Sequence, residues 1–476
     1  MADINKAIKP IESVRIAPLN DGTIYQANKE IVFRLGAGLN MFLVNKSYLT
    51  FNLKCASRTI ASVLAAAGTA SAAVTNFYPS YIRNAANIFK TIEISYGGDV
   101  IYTTRTHNIE INTIRQTRYG DDYLNANWAT YTTTDMIANG TDYLKFENAS
   151  KVDKTSTTSV VRNEQTIFNI QIPLNQILPI FMDLGSEGFP MRSLNQQIEV
   201  HLLIADSYQY MVDWNKTRKD FETNKKRVDS KTTTIWNTDV PINERFQNSD
   251  LTLENVAIYA NYYTPTANEA AIIDSKCVNG EYKLKYNTWV LDERQVNSIQ
   301  ATNTIPASVV TTNTKSILIY CFKKQTSPSV MYKPNISNFQ LKIGSFTCPL
   351  QPIAGSTMRY PHEYKFSVDD VFDNIDTYFS STNTDYNRCY LSEDNTKIGT
   401  TLVKPSSLFY IFGMNYTSDP SDLGSDSSAW NSQYQMQFNG TGTDDDAGGS
   451  GLQFVIAVNT ECGLLIKDKN IKTFTL

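Results

Sequence analysis

Apolar and polar residues alternate with a period of two along much of this chain. In "SYLTFNLKC" (47–55), Leu49, Phe51, Leu53 and Cys55 fall on one side while Tyr48, Thr50, Asn52 and Lys54 fall on the other. That spacing predicts an antiparallel strand with one buried and one wet face. "FNIQI" (168–172) repeats it with Phe168, Ile170 and Ile172, and "QQIEVHLLI" (196–204) with Ile198, Val200, Leu202 and Ile204. "NVAIYANYY" (255–263) is a further strand. It runs into "TPTANEAAIIDSK" (264–276), where Thr264, Pro265 and Glu269 suit a short capped helix. Beyond that helix the two-residue period restarts in "EYKLKYNTWVL", "KSILIYCF", "SNFQLKIGSF", "EYKFSV", "SLFYIFGMNY" and "GLQFVIAV", with Phe339, Leu341 and Ile343 alternating cleanly against Asn338, Gln340 and Lys342.

The pattern therefore predicts two successive all-β halves divided near 264–276. A chain of 476 residues is long enough for two cores. Long polar stretches at 119–164, 205–250 and 419–451 separate strands, and loops of that length mark functional or interacting surfaces. The Ala-rich stretch 60–76 fits a brief helix or a loose excursion equally well. No repeat of 20 to 50 residues is visible, which disfavours propellers and solenoids. Many strands per half with excursions between them fit a pair of eight-stranded jelly-roll sandwiches.

Composition narrows the function classes. The formal net charge of −4 gives no chain-wide electrostatic footprint for nucleic acid, so any basic surface must be local. Nothing like a signal peptide or a bilayer-spanning apolar run is visible, so a cytosol-like site of synthesis is expected. Sequons such as Asn139 and Asn439 are what an Asn- and Thr-rich chain produces by chance. Cys55, Cys277, Cys321, Cys348, Cys389 and Cys462 show no metal-ligand or disulfide spacing and are expected as buried thiols.

Candidate chemistry is sparse. His107, His201 and His362 are isolated, and no nucleophile-elbow motif accompanies them. Asp444, Asp445 and Asp446 lie in a Gly-rich loop but lack EF-hand spacing, so a solvated acidic loop is expected there. Asp369 with Asp370 and Asp292 with Glu293 are adjacent carboxylates. Neighbours on a strand point to opposite faces, so neither pair suits glycoside hydrolysis. The run 216–231 mixes basic and acidic side chains as a solvated loop or a mobile helix does. No catalytic residue, cofactor or metal site is predicted.

The most patterned stretch carries no chemistry at all. In "IPLNQILPIFMDLGSEGFPMRSLNQQIEV" (172–200), Pro173 is expected to end a strand and Asn175 to cap a helical turn presenting Ile177 and Phe181 to the sandwich edge. Pro179 would keep that turn short, and Gly188 with Pro190 would reverse the chain. The product is a stiff corner.

Residues 166–206 and 251–275 resemble the first roll of the double jelly-roll major capsid proteins of virophages, Polinton-like viruses and nucleocytoplasmic large DNA viruses. The shared marks are Ile172-Pro173-Leu174, the turn 177–184, Gly188 with Pro190, and the polar start of a strand at 196–200. "FVIAVNTECGLLIKDKNIKTF" looks like the closing strands of a second roll, with Asn459, Leu464, Ile466, Lys469 and Asn470 present but the family's final Gly missing.

The resemblance implies an arm at 1–24, a first roll at 25–264, a linker helix at 265–276 and a second roll at 277–476. It also implies a non-enzymatic homotrimer of pseudo-hexagonal outline that tiles an icosahedral double-stranded DNA virus shell, assembled in the host cytoplasm or a virus factory. Neighbouring capsomers, penton and minor capsid proteins and an internal membrane are the partners it implies, without specific nucleic-acid binding. The arm, with Lys6, Lys9 and Arg15 against Asp3 and Glu12, would make such contacts. Two other readings use the same strands: a double β-sandwich lectin or glycan-active enzyme, and a minor capsid or spike protein.

Overall fold

The computed structural model describes residues 11–20, 22–38, 40–55, 76–77, 80–82, 85–110, 145–146, 166–181, 184, 188–213, 236–237, 247–296, 303–306, 314–323, 336–343, 346–354, 397–398, 401–402, 411–415, 434–440 and 452–475. Eight principal strands make the first half: β1 (Ile11–Ile16), β2 (Glu30–Leu35), β3 (Tyr48–Cys55), β4 (Phe89–Tyr96), β5 (Asp99–Thr104), β6 (Thr166–Pro173), β7 (Ile198–Ile204) and β8 (Leu251–Tyr263). A helix, Ala267–Asn279, follows. The second half has β9 (Tyr282–Val296), β10 (Asn303–Pro306), β11 (Thr314–Lys323), β12 (Ile336–Ile343), β13 (Phe346–Ala354), β14 (Ile411–Asn415), β15 (Tyr434–Gly440), β16 (Leu452–Lys467) and β17 (Asn470–Thr475).

Strand order settles the architecture. In the first half one sheet runs β1-β8-β3-β6 and the other β2-β7-β4-β5, all antiparallel. In the second half the sheets run β9-β16-β11-β14 and β10-β15-β12-β13, the same order with every index raised by eight. Strands pair first with last and second with second-last, as in a long hairpin rolled up on itself, which is the jelly roll. The chain is thus two consecutive jelly rolls, and β17 adds one strand beside β16 at 462–467.

The two-residue period decides which face each strand buries. Along β3, Leu49, Phe51, Leu53 and Cys55 are buried and the residues between them half-buried; β7 alternates the same way from Ile198 to Ile204. Phe51 of β3 meets Phe89 of β4 edge to face at 6.1 Å, joining the two sheets across the core. β8 carries a bulge between Glu254 and Ala257, where Asn255 takes φ of 54°, a conformation asparagine tolerates better than most residues.

Ile11–Ile16, expected as part of the arm, forms β1, an edge strand in register with 258–263 of β8. Only Val14 and Ile16 pack against the core, so its sequence carries little apolar signal. The linker helix starts with a capping box: the Thr266 hydroxyl accepts from the Glu269 N–H, and the Glu269 carboxylate accepts from the Thr266 N–H. The cap is Thr266, two residues beyond Thr264. At the other end Gly280, with φ of 72°, closes the helix in the left-handed conformation.

Candidate functional site

The corner between β6 and β7 gathers specific contacts to both rolls among the described residues. Pro173 pairs with Tyr48 as the last residue of β6, and a helical turn, Leu174–Ile177, follows directly. Asn175 does not cap that turn. It lies inside it, the capping position is held by Pro173 without a side-chain bond, and the Leu174 N–H donates instead to the Ser47 carbonyl at 2.9 Å. The missing cap is supplied by the loop before β3, a partner no local pattern reveals. Ile177 and Phe181 are buried, as expected, and Ile180 is buried with them.

Phe181 then packs against Phe189 with the rings tilted by 57° and their centres 4.8 Å apart, and Phe189 meets Tyr282, the first residue of β9, edge to face at 6.2 Å. The corner therefore serves as the bed on which the second roll begins. Gly188 makes the approach feasible: its φ is +77°, and a Cβ there would lie 3.1 Å from the Phe42 carbonyl oxygen and 3.3 Å from Tyr263. The Tyr282 hydroxyl donates to the Gly188 carbonyl at 3.4 Å.

Two further ties fasten the rolls. Asp274 of the linker helix accepts from Arg192 at 3.1 Å and from the Ser193 hydroxyl at 2.7 Å. The Tyr96 hydroxyl donates to the Lys469 carbonyl at 2.7 Å and accepts from the backbone N–H groups of Asn195 (3.1 Å) and Gln196 (3.3 Å), while Asn195 N–H also reaches Lys469 O at 3.2 Å. Asp468 and Lys469, the turn between β16 and β17, both have positive φ, of 50° and 64°. The polar "NQQ" before β7 is thus a junction with the second roll.

Apolar packing continues through these ties. Leu284 and Tyr286 of β9, Leu464 and Ile466 of β16, Ile471 of β17 and Cys277 of the helix belong to the same buried cluster as Phe33, Phe51, Phe89 and Val200 of the first roll. Tyr102 and Tyr286 add an edge-to-face contact at 6.3 Å. Moving one roll against the other would expose this shared core to water.

The residues considered for chemistry are scattered. His201 lies on the outer face of β7, its Nδ1 3.1 Å from Glu30 and its Nε2 3.7 Å from Glu199, which also accepts from Arg34 Nε at 2.9 Å. His107 is fully buried in a short helical turn, far from β7 in the chain. Asp292 is bonded to Arg294 and Glu293 to Gln453, so the adjacent carboxylates are committed to separate partners. Cys55 and Cys277 are buried, Cys462 half-buried; burial, reinforced by Asp250, pushes the Cys55 thiol up to about 12, and burial also raises Cys277. His362, Asp369, Asp370, Asp444, Asp445, Asp446, Cys389, the run 216–231 and the first ten residues lie outside the described residues, as do the side chains of Cys321 and Cys348. No group of three or more His, Cys, Asp or Glu arranged for a metal occurs among the described residues.

No protein-family model matches this chain, and no curated protein matches it in sequence. Solved structures do. A chain of the Sputnik virophage structure is 11% identical with a TM-score of 0.53, over 98% of this chain and 88% of that one. The mavirus major capsid protein is 9% identical with a TM-score of 0.52, over 97% and 90%. A chain of the PBCV-1 virus capsid is 8% identical with a TM-score of 0.51, over 98% and 97%. By its fold, then, this chain is a double jelly roll of the kind found in virophage and large DNA virus capsids.

Proposed function

We propose that this chain is the major capsid protein of an icosahedral double-stranded DNA virus, a structural protein and not an enzyme, acting in the virion as a homotrimer. The observation that carries the reading is the pair of rolls with identical strand order, fastened where one end of the second roll packs into the core of the first. Three such chains supply six similar sandwiches, so a three-fold ring approximates a hexagon and can tile a flat facet. A ring of this kind closes through one repeated heterologous contact. A permanent contact of that sort buries on the order of 2,000 Å2 or more.

The rigidity of the corner supports the same reading. Tiling needs a fixed angle between the two rolls of a chain, and Phe189, Tyr96 and Asp274 each pin that angle by a different interaction. The reading divides the chain into a first roll at 25–264, a linker at 265–276 and a second roll at 277–476, a division supported by the helix Ala267–Asn279, whose last turn runs three residues past that linker. Neighbouring capsomers, penton proteins and minor capsid proteins are the partners proposed for the outer faces and long loops.

Light scattering on the purified chain tests this directly. A stable mass of three chains, with hexagonal outlines in negative-stain images, is the expected result. A monomer that binds sugars would overturn it in favour of a lectin, and a monomer or fibre without hexagonal outlines would point to a minor capsid or spike role.

A further inference from the structure

The wet face of the sheet β1-β8-β3-β6 carries a row of side chains that neither the corner nor the shared core uses. Arg15 of β1 is in register with Tyr259 of β8, Tyr259 with Tyr48 of β3, and Tyr48 with Pro173 of β6. The four positions form one line across four strands, about 14 Å long at three strand spacings. All four point away from the core, because their chain neighbours do the opposite: Val14 and Ile16 pack against the core, and Leu49, Ile258, Ala260 and Ile172 are buried in it. One row along the same face, exposed Ser13 is in register with half-buried Asn261.

Each member of the row brings a different chemistry. The rings of Tyr48 and Tyr259 are nearly parallel, with planes 17° apart and centres 5.4 Å apart, and both residues are half-buried, so aromatic surface stays open to solvent. Neither hydroxyl is hydrogen-bonded among the described residues. Arg15 is exposed and forms no ion pair, hydrogen bond or ring contact among them. Glu254, a carboxylate farther along β8 on this face, is already paired with Lys54 at 3.3 Å. A cross-strand tyrosine pair steadies a sheet unaided, and the free guanidinium at its end adds nothing to that role.

The row thus combines one unpaired cation, two aromatic rings and a fringe of neutral hydroxyl and amide groups. A nucleic-acid backbone draws its affinity from many cations, one for each phosphate neutralised, and this row offers a single one. A purely apolar ligand would cover the guanidinium and the hydroxyls without satisfying them. A sugar acid matches every part. Its carboxylate fits the fork of Arg15, its C–H face lies against tyrosine, and its hydroxyls exchange hydrogen bonds with Ser13, Asn261 and the tyrosine hydroxyls.

We propose that the row Arg15, Tyr259 and Tyr48, with Ser13 and Asn261 beside it, binds a carboxylate-bearing carbohydrate, a uronate-type residue of a glycan chain. The sugar is held without a covalent bond, its carboxylate at the β1 edge and its ring over the tyrosines, and Pro173 bounds the far end of the row. The site belongs to the first roll alone and does not depend on the capsid reading.

The test is isothermal titration of the full-length protein, in its native assembly state, with a tetramer of galacturonic acid and with the same tetramer methyl-esterified, which keeps the rings and removes the charge. The acid is expected to bind about 10-fold more tightly than the ester or better. Arg15→Gln should weaken the acid by about 10- to 100-fold, as loss of a hydrogen-bonded charge does, and leave the ester unchanged. Tyr259→Leu and Tyr48→Leu should each weaken both ligands by about 2- to 10-fold. Thermal unfolding checks that the tyrosine variants fold; should either fail to, Arg15→Gln, at an exposed edge position, decides the question with the acid and ester alone.

No binding of the acid, equal binding of acid and ester, or binding indifferent to Arg15→Gln overturns the proposal. So does displacement of the acid by an equal concentration of inorganic sulfate, which would leave an anion contact without sugar recognition. Preference for single-stranded DNA over the acid overturns it too and would assign the row to nucleic acid. Light scattering reads the assembly separately: a trimer that ignores the sugar refutes this proposal alone, and a monomer that binds it refutes the capsid reading alone.

Discussion

Replacing Tyr96 by Phe deletes one oxygen and leaves the ring, which isolates the hydrogen bonds that tie the two rolls. That oxygen donates to Lys469 O and accepts from the N–H groups of Asn195 and Gln196. A neutral hydrogen bond is worth about 1 kcal/mol net, and a buried group left unpaired costs about 1–3 kcal/mol. Lys469 O keeps its bond from Asn195, and residues 195 and 196 are exposed enough for water to replace part of what is lost. The net cost is therefore about 2 kcal/mol, below the simple sum of three bonds. Hydrogen exchange is the assay: the amides of Asn195 and Gln196 and those of 462–475 should lose protection by roughly 30-fold. Tyr25→Phe is the control, because its hydroxyl bonds Asn20 O within the first roll; it should leave the 462–475 amides unchanged. A Tyr96→Phe protein with full protection at both places would refute the idea that this hydroxyl fixes the second roll on the first.

Gly188→Ala should cost about 2–3 kcal/mol and lower the thermal midpoint, because the left-handed backbone and the Phe42 carbonyl both oppose a Cβ; Gly98→Ala, at φ +90° with open space around it, should cost about 1 kcal/mol. Thr266→Ala removes half the capping box of the linker helix and is expected to destabilise by about 1 kcal/mol in urea unfolding. Cys55, its thiol held neutral up to about 12, should resist alkylation at mildly alkaline pH in the folded protein and react only on unfolding, as mass spectrometry would read. The same shift carries a sign: above the ordinary thiol value of 9.0 the unfolded chain loses this proton first, so Cys55 should make stability fall as pH rises from about 9 toward 12, and Cys55→Ser should flatten that limb of the urea midpoint against pH.

In the first roll, strands with one buried and one wet face were legible from spacing. Leu49, Phe51, Leu53 and Cys55 read as β3 from spacing alone, and Ile198 to Ile204 as β7, because burial of alternate side chains imposes a period of two on the sequence. β1 was not legible as a sheet strand. It is an edge that buries little, so its place depends on backbone bonds to β8, which carry no side-chain signature.

The corner divides the same way. Pro173, Ile177, Phe181 and Gly188 announce a stiff turn because backbone restriction and burial are properties of the residues themselves. What the corner is for was decided elsewhere. Ser47 caps it, Tyr282 lies on it, Asp274 binds beside it, and Lys469 reaches Tyr96 across 373 residues of chain. Local charge is likewise invisible to composition: under an overall charge of −4, strand register sets Lys283 and Lys472 in one row, both opposite Leu465. Local pattern determined which residues seek the interior; long-range pairing determined which interior they share, because contacts between distant segments are fixed by the packing of whole sheets and leave no periodic trace.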